Sequence, residues 1–403
     1  MKSVRSHSWA FRDQLALAQV ADTSTLMAEP WRIFFARTLN WKYARRRNLQ
    51  LQLLRALSTE FDLGINNWNE FEATPQTTKS DLLGFEAHNV RGAILHQTSG
   101  SSGTPFEFYR DQSLEPIDAA IFDRAWRMVG RRHEPVLRLV SGPPKWRFYD
   151  ALRNVYPMNY RTVDDSYVDW VVRFQPYLIH GVAGAVRDLV ERVWAAGYGN
   201  ILRRTNLYLM SEDTKSHRQA LAGRVGRIHM GYGISELRTV ASECRSGTLH
   251  VNMETTVAES IHGRVYVTNL LSKTVPFFRY ATGDRGEVVP NGHCACGVES
   301  DVITGLVGKA IDFYNAPGFA RPLGWWLVSP ISHEYADVLR AWRLEVIPGE
   351  RLIRLYAVPK HRGLRKLGPY LRWMSKNTGY RTEVVSVTHL PDWREKLIRI
   401  VMN

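Results

Sequence analysis

The fold is decided by one short stretch, Thr98-Ser99-Gly100-Ser101-Ser102-Gly103-Thr104-Pro105. It lies between two strand-like segments, residues 93–95 and 106–109. Glycines let a backbone approach a ligand closely, and clustered N–H groups form a concave site for an anion. The stretch lacks the lysine of a Walker A loop. On these residues alone, a phosphate-binding loop and an ordinary turn between two strands both remain open.

The length and composition indicate a globular protein of more than one domain. The chain has 403 residues, 44% of them hydrophobic and 23% charged, which is enough to bury a large core. No stretch approaches the roughly 20 apolar residues that cross a bilayer, and residues 1–21 lack the apolar centre of a signal peptide. Three cysteines are too few for a disulfide scaffold. We therefore expect a cytoplasmic protein without a membrane partner.

The net charge of +14 is unusual for such a protein. It is compatible with a solubilising surface, or with a nucleic acid, anionic lipid or polyanionic partner. The basic residues are dispersed, and no nucleic-acid-binding module accompanies them. We therefore do not expect nucleic acid as a partner.

The pattern of elements predicts an α/β fold. Residues up to about 90 read as mostly helical, and strands then alternate with helices to about residue 233. Residues 247–289 read as strands without helices between them, and Asn315-Ala316-Pro317-Gly318 is a strong turn signal. We predict a large domain at residues 1–312, with mixed sheets and a β-rich subdomain, and a small α+β domain at residues 313–403.

Four further segments carry residues suited to binding a nucleotide. In the first, the ring of Tyr232 can stack on a base, and the carboxylate of Glu236 can hold Mg²⁺ beside phosphates. In the second, Asp284 can accept hydrogen bonds from ribose hydroxyls. Taken singly, Tyr232 could be a core residue and Asp284 could be a turn former. Lys396, in the last of the four segments, could be a solvated charge. The segments are Gly231–Glu236, Pro276–Gly286, Gly308–Asp312 and Arg394–Arg399.

In this order, the segments resemble the adenylate-forming superfamily of acyl-CoA synthetases and adenylation domains. The likeness is greatest to its phenylacetate–CoA ligase and CapK-like branch, and it covers residues 90–312 well and the C-terminal part weakly. The residues that carry it are Thr98–Pro105, Phe108–Asp111, Tyr232–Glu236, Arg279–Asp284 and Cys294–Gly297. The resemblance implies ATP-dependent, Mg²⁺-requiring activation of an aryl or related carboxylic acid to an acyl-adenylate, with release of pyrophosphate. Acyl transfer to a thiol, of coenzyme A or of a carrier protein's phosphopantetheine, would follow.

The resemblance also implies roles for individual residues. The loop would hold the β- and γ-phosphates, Tyr232 would lie against adenine, and Asp284 would bind the ribose. Glu236 would help to place Mg²⁺, and Lys396 would reach the carboxylate and the α-phosphate from a C-terminal domain that moves about a hinge near Asp312. The implied ATP- and AMP-binding residues are Thr98, Ser99, Gly100, Ser101, Ser102, Gly103, Thr104, Tyr232, Gly233, Ser235, Asp284 and Lys309.

Two positions depart from the family pattern. Lys309 stands where the family usually has arginine, and it lacks the bidentate geometry of a guanidinium. Glu395 stands where glycine usually precedes the final lysine. A non-catalytic adenylate-binding relative therefore stays open as an alternative. An amide-forming ligase stays open as well, because an amine is compatible as the acceptor.

The cysteines suggest a metal site. All three lie between residues 244 and 296, and one histidine, His250, follows the first of them closely. One imidazole and three thiolates form a tetrahedral set typical of structural zinc. The Cys-x-Cys spacing is tighter than usual, so three buried, inert cysteines are the alternative. The proposed ligands are Cys244, His250, Cys294 and Cys296.

The resemblance places the acid pocket between the helix after the glycine-rich loop and the segment before Tyr232. The residues indicated are Trp126, His180, Gly181, Met230 and Gly231. Trp126 and His180 could equally be ordinary core residues. An acidic acyl-carrier protein would suit the positive net charge, because complementary charge accelerates encounter.

Overall fold

The structure, a computed structural model, describes residues 23–83, 85–87, 92–97, 107–140, 149–150, 152–159, 166–210, 214–307, 327, 331, 335, 338–360, 363–388 and 398–400. Its first part is helical, as predicted, with α1 (Thr23–Thr38), α2 (Tyr43–Glu60) and α3 (Trp68–Ala73). Asn67 begins α3, because its side chain accepts a hydrogen bond from the Glu70 amide. No helix in the described ranges has the length and apolar character to cross a membrane.

A hairpin of β1 (Ala93–Gln97) and β2 (Glu107–Asp111) follows the helices. The two strands are antiparallel, and Gln97 lies opposite Glu107 at the end of the ladder. The strand-like segments predicted on either side of the glycine-rich stretch are therefore confirmed as strands and pair with each other. Residues 98–106, which connect them, lie outside the described part of the chain.

Eleven strands within the described ranges form one mixed sheet, in the order β10-β11-β12-β13-β9-β8-β7-β6-β5-β3-β4. Neighbours from β4 to β7 are parallel, and neighbours from β7 to β10 are antiparallel. The sheet therefore changes character at β7, and the mixed sheet with a β-rich part is confirmed. Its strands are β3 (Val136–Val140), β4 (Val155–Asn159), β5 (Leu178–Val182), β6 (Asn206–Met210), β7 (Ile228–Ile234), β8 (Arg238–Glu243), β9 (Leu249–Val251), β10 (Thr256–Ile261), β11 (Arg264–Asn269), β12 (Tyr280–Gly292) and β13 (Ser300–Val307).

Helices cover both faces of the parallel half, as parallel sheets require. On one face, α4 packs Phe122 and Trp126 against Leu178 and Tyr208. On the other face, residues of α6 such as Leu189 pack in a second hydrophobic cluster with the strands. The helices that accompany this half are α4 (Glu115–Met128), α5 (Ser166–Phe174), α6 (Ala183–Ala195), α7 (Gly199–Leu202) and α8 (Thr214–Leu221). β4 and α5 were not predicted from the sequence.

Buried ion pairs connect the N-terminal helices to the sheet. The carboxylate of Glu254 contacts Arg46 of α2 and Arg124 of α4, with Arg124 Nη1 at 2.6 Å, and all three side chains are almost wholly buried. Burial alone would raise the pKa of Glu254, but the two guanidinium groups outweigh it and hold this pKa at about 2. Glu254 is therefore a charged, internal anchor for both helices.

The C-terminal part contains a separate four-stranded sheet in the order β16-β15-β14-β17. The helix α9 (Gly368–Thr378) packs Tyr370 and Met374 into its hydrophobic core. These elements agree with the predicted α+β pattern, whereas the predicted boundary at residue 312 lies outside the described residues and stays a prediction. The strands are β14 (Leu339–Ile347), β15 (Leu352–Pro359), β16 (Arg381–Ser386) and β17 (Ile398–Ile400).

Candidate functional site

Tyr232 and Asp284, both predicted for the nucleotide site, are in direct contact. The phenol of Tyr232 donates a hydrogen bond of 2.8 Å to Oδ2 of Asp284. Both side chains are buried, with exposed fractions of 7% and 6%. Burial, reinforced by the charge of Asp284, raises the pKa of Tyr232 well above its usual range. The phenol therefore stays protonated and can keep donating to the carboxylate at neutral pH.

Glu236 lies beside this pair and is held by Tyr280. The Tyr280 hydroxyl donates to Oε1 of Glu236 over 3.2 Å, and burial raises the pKa of Tyr280 far above its usual range. No role was predicted for Tyr280 from the sequence, although it is the first residue of the Tyr-x-Thr-Gly-Asp motif that ends at Asp284. It is therefore a site residue that the motif could have indicated.

The β7–β8 connection presents Ser235 and Glu236 because Gly233 lets the two strands approach closely. A Cβ atom at Gly233 would lie 2.2 Å from the carbonyl oxygen of Arg238, so a side chain there would displace the backbone. Ser235 is exposed. Its carbonyl oxygen accepts a hydrogen bond from the Arg110 guanidinium of β2. This bond attaches the β1–β2 hairpin to the tip that carries Glu236.

Aromatic packing also fixes the hairpin beside the site. Phe108 of β2 is buried and meets Phe277 edge to face, with ring centroids 5.5 Å apart. Phe277 in turn meets the ring of Tyr280 at 5.5 Å. The hairpin is thus packed, through Phe277, against Tyr280, whose hydroxyl donates to Glu236.

Several predicted residues cannot be placed by the structure. The loop residues Thr98–Thr104, together with Lys309, Asp312 and Lys396, lie outside the described part of the chain. Their roles in phosphate binding, in the hinge and in catalysis stay predictions.

Three of the five acid-pocket residues lie on the face of the sheet that α4 covers. The rings of Trp126 and His180 meet edge to face at 5.5 Å, and both side chains are at least 97% buried, since their exposed fractions are 0% and 3%. Burial, helped by the charges of Arg138 and Arg153, lowers the pKa of His180 well below its usual value, so its imidazole is neutral. A Cβ atom on Gly231 would lie 2.8 Å from the Tyr208 ring, on the same face.

The other two pocket residues are on the opposite face, because alternate residues of a strand point to opposite sides. A Cβ atom on Gly181 would lie 2.7 Å from Cβ of Leu139, in the core beneath α6. Met230 is the register partner of Leu209 and packs against the cluster that contains Tyr232. The structure therefore brings Trp126, His180 and Gly231 together and separates Gly181 and Met230 from them.

Cys244, His250, Cys294 and Cys296 form one cluster, and their ligand atoms all lie within 4.8 Å of one another. The Sγ atoms of Cys244 and Cys294 are 3.6 Å apart, and Sγ of Cys296 is 3.3 Å from Nε2 of His250. A tetrahedral ion with metal–sulfur bonds of about 2.3 Å would separate two thiolates by about 3.8 Å. The Sγ atoms of Cys244 and Cys294 therefore have nearly the separation of two thiolates on one zinc ion.

Two turns of the same design present the thiols. In each, a cysteine carbonyl accepts from the amide of a glycine three residues later, Gly247 at 3.0 Å and Gly297 at 3.1 Å. Both glycines have positive φ, 82° and 81°. In each turn the amide two residues after the cysteine points at its sulfur, from Ser246 to Cys244 and from Cys296 to Cys294, both over 3.4 Å. Such N–H groups stabilise a thiolate.

The hydrogen bonds of His250 orient its free lone pair towards the thiols. The hydroxyl of Ser300 donates to the Asp301 carbonyl over 3.0 Å, so it must accept from Nδ1–H of His250 at 2.8 Å. Nε2 is then unprotonated on the side of Cys296. Burial lowers the pKa of His250 to about 4, which keeps the ring neutral. A histidine that binds a metal through Nε2 needs this tautomer, and Ser300 was not identified from the sequence.

No protein-family model matches the chain, and no curated protein sequence matches it. Solved structures of 2-hydroxyisobutyryl-CoA ligase do match. In the postadenylation state with R3-HIB-AMP, the identity is 14%, 91% of each chain is covered and the TM-score is 0.59. In the thioesterification state with 2-HIB-AMP and CoA, the identity is 14%, the coverage is 90% of this chain and 91% of that chain, and the TM-score is 0.60. The chain therefore has the mixed α/β fold of adenylate-forming ligases.

Proposed function

We propose that this chain is an ATP-dependent ligase that activates a carboxylic acid and then transfers the acyl group to a thiol. The observation that carries the proposal is the contact between Tyr232 and Asp284, with Glu236 and Tyr280 beside it. Two residues 52 positions apart, each suited to adenosine by its chemistry, meet at one place. The fold supports the same reading, since the similar ligase structures are described with acyl-AMP and with CoA.

The chemistry requires positive charge where two anions meet. An oxygen of the acid's carboxylate attacks the α-phosphorus of ATP, the bond to pyrophosphate breaks, and the acyl-adenylate forms. The thiol sulfur of the acceptor then attacks the acyl carbon and releases AMP, with the thiol proton passing to solvent. In this proposal Glu236 would hold Mg²⁺, which would supply positive charge beside the phosphates, and Lys396 and the amides of Thr98–Thr104 would supply the rest. Removing one such contact typically raises a barrier by about 3 kcal/mol.

We further propose coenzyme A or a carrier protein's phosphopantetheine as the acceptor, in an enzyme of the phenylacetate–CoA ligase and CapK-like branch. The net charge of +14 would favour an acidic carrier protein. An amine acceptor is the alternative that a product analysis would reveal.

We also propose that Cys244, His250, Cys294 and Cys296 bind one structural zinc ion. Three thiols and one imidazole already supply four ligands, so no coordination position is left for a substrate. The matched turns and the His250–Ser300 hydrogen bond support this assignment. The ion would connect the β8–β9 turn to the segment between β12 and β13.

Acid-dependent exchange of pyrophosphate into ATP tests the enzymatic proposal. The wild-type protein should catalyse exchange with at least one member of a panel of aryl, hydroxy and dicarboxylic acids. Asp284→Ala should reduce this exchange at least 100-fold, because the loss of one such contact typically lowers a rate by about this factor. The matched control is Asp169→Ala, which removes an exposed carboxylate on α5. If the protein binds AMP but no acid supports the exchange of pyrophosphate into ATP, it is a non-catalytic relative.

A further inference from the structure

Arg110 of β2 is a cation at the candidate nucleotide site, and its hydrogen-bonding capacity is only partly used. Its Nη2 donates to the carbonyl oxygen of Ser235 over 2.5 Å. Its Nε is buried without a hydrogen bond, although buried polar groups are nearly always paired. Within the described ranges, no carboxylate forms an ion pair with this guanidinium. The positive charge therefore lacks a direct counterion in the part of the chain that the structure describes.

The carboxylates with the largest electrostatic effect on Arg110 are engaged elsewhere. They are Asp118, Glu115 and Glu236. Asp118 and Glu115 both pair with Arg238, and Glu236 accepts its hydrogen bond from Tyr280. Burial, reinforced by the positive charge of Arg238, lowers the pKa of Arg110 below its usual value. An anion that reached Arg110 would offset both effects.

The backbone of β2 is held beside Arg110 by two other residues. The Thr274 hydroxyl donates to the Tyr109 carbonyl over 2.7 Å. On the other side, Nη2 of Arg238 donates to the Asp111 carbonyl over 3.1 Å. The position of the strand therefore does not depend on the Arg110 guanidinium alone, and this group is available for a ligand.

Arg110 stands beside the residues proposed to contact the nucleotide. The charge of Glu236 affects the pKa of both Tyr232 and Arg110, so this carboxylate is close to each of them. Arg110 follows the glycine-rich stretch by five positions, and its contact, Ser235, directly precedes Glu236. A phosphate chain that leaves a ribose at Asp284 and runs towards the glycine-rich stretch would therefore pass the Glu236 tip, where Arg110 lies.

We propose that Arg110 binds the β- and γ-phosphates of ATP and the pyrophosphate that leaves. The proposal rests on the proposed ligase function and adds a catalytic residue to it. When the acid's carboxylate attacks the α-phosphorus, the bond to the bridging oxygen breaks and its electron pair stays on pyrophosphate. A guanidinium already in place stabilises this developing charge. It can also bind two phosphate oxygens at once, a geometry that an ammonium group lacks.

Two nucleotides that differ only beyond the α-phosphate test this inference. The probes are α,β-methylene-ATP, which carries the two further phosphates and resists cleavage, and AMP, which does not carry them. In calorimetry, Arg110→Gln should weaken binding of the ATP analogue about 10-fold or more and leave AMP binding nearly unchanged. Arg110→Lys should retain part of the lost affinity. Arg264→Gln, which removes an exposed arginine of β11, should change neither affinity.

A merely structural role for Arg110 would give a different result. If the side chain only held the Ser235 carbonyl, its loss would disturb the tip and weaken both nucleotides alike. Equal weakening, or undiminished binding of the ATP analogue, would therefore overturn the inference. Circular dichroism confirms that each variant folds.

Pyrophosphate exchange separates this inference from the ligase function. Arg110→Gln should raise the KM for pyrophosphate about 10-fold or more, because pyrophosphate is the group that Arg110 binds. Selective loss of analogue binding in a protein that catalyses no exchange with any acid would defeat the ligase function and uphold the role of Arg110. Exchange with an unchanged KM for pyrophosphate in Arg110→Gln would do the reverse.

Discussion

The phenol of Tyr232 reaches the carboxylate of Asp284 although three strands, β8, β9 and β13, lie between their own strands in the sheet. In a flat sheet, four interstrand steps of about 4.8 Å would put the two backbones about 19 Å apart, farther than the two side chains together can reach. The phenol oxygen and the carboxylate oxygen are nevertheless 2.8 Å apart. The antiparallel half therefore curls strongly, and its concave side gathers residues from both of its ends. This curl creates the candidate nucleotide site.

The first prediction concerns the ring of Tyr232. If the ring lies against adenine, Tyr232→Ala should raise the KM for ATP about 10-fold or more, because it removes an aromatic contact worth about 1–3 kcal/mol. Tyr232→Phe keeps the ring and loses only the bond to Asp284, so its KM should change much less. Steady-state pyrophosphate exchange measures both. Equal effects of the two variants would mean that the hydroxyl, and not the ring, serves the site.

The second prediction concerns the metal. Protein purified without chelators should contain about one zinc ion per chain by plasma mass spectrometry. Ser300→Ala should weaken zinc binding 10- to 100-fold, because it removes the group that orients His250. Ser246→Ala is the control, since only the backbone of this exposed residue contacts a thiol.

Loss of the metal should also lower stability and not only affinity. The segment after Cys296 holds α2, through Glu299 to the Tyr43 amide at 2.9 Å and through Asp301 to the Tyr43 hydroxyl at 2.8 Å. A chelator should therefore lower the unfolding temperature. Zinc-free protein with unchanged stability would contradict the structural assignment.

The third prediction concerns acid pH. The pKa of Glu254 lies at about 2 in the folded chain, below its ordinary value of 4.5. A carboxylate with a depressed pKa stabilises the fold above its unfolded pKa, and this stabilisation is lost as the pH falls from about 4.5 towards 2. Glu254→Gln should lower the free energy of unfolding at pH 7 by about 3–5 kcal/mol, because it leaves Arg46 and Arg124 unpaired. Its remaining stability should depend less on pH in this window.

Urea unfolding between pH 7 and 3 measures this effect. The control is Glu191→Gln, which removes a surface pair with Arg187 in α6 whose carboxylate side chain is 43% exposed. Such pairs contribute at most about 0.5 kcal/mol. A Glu254→Gln protein as stable as this control would mean that the buried cluster does not anchor α2 and α4.

The fourth prediction concerns Lys396, which lies beyond the described residues. If it stabilises charge only during adenylation, Lys396→Ala should reduce acid-dependent pyrophosphate exchange by about 100-fold. Acyl transfer from a chemically supplied acyl-adenylate should continue. Lys376→Ala, an exposed lysine of α9, should change neither step. Loss of both steps in Lys396→Ala would assign the segment a structural role instead.

Local sequence patterns predicted what depends on local chemistry. The strands around the glycine-rich stretch, the helix α4 and the strand that ends near Tyr232 follow from periodicity and turn residues. Cys244, His250, Cys294 and Cys296 were grouped by residue type, and the structure brings all four together. Asp284 was indicated by its motif, and its contact with Tyr232 agrees with a shared site.

Features that depend on register escaped the sequence. Arg138 stands beside His180 only because β3 and β5 are neighbours in a particular alignment. The adjacent residues Met230 and Gly231 were predicted for one pocket, but a strand turns them to opposite faces. One local signal was available for Arg138, a single charge inside an apolar pentapeptide.

The change from parallel to antiparallel pairing at β7 bears on how such a protein diversifies. His180, predicted for the acid pocket, lies in the parallel half, whereas Asp284 and the Cys-His cluster lie in the antiparallel half. If the proposed roles hold, recognition of the acid and handling of the nucleotide are inherited as two nearly independent parts of one sheet. Substitutions on β3, β5 and α4 can then retarget a lineage to new acids while the chemistry common to all of them stays untouched.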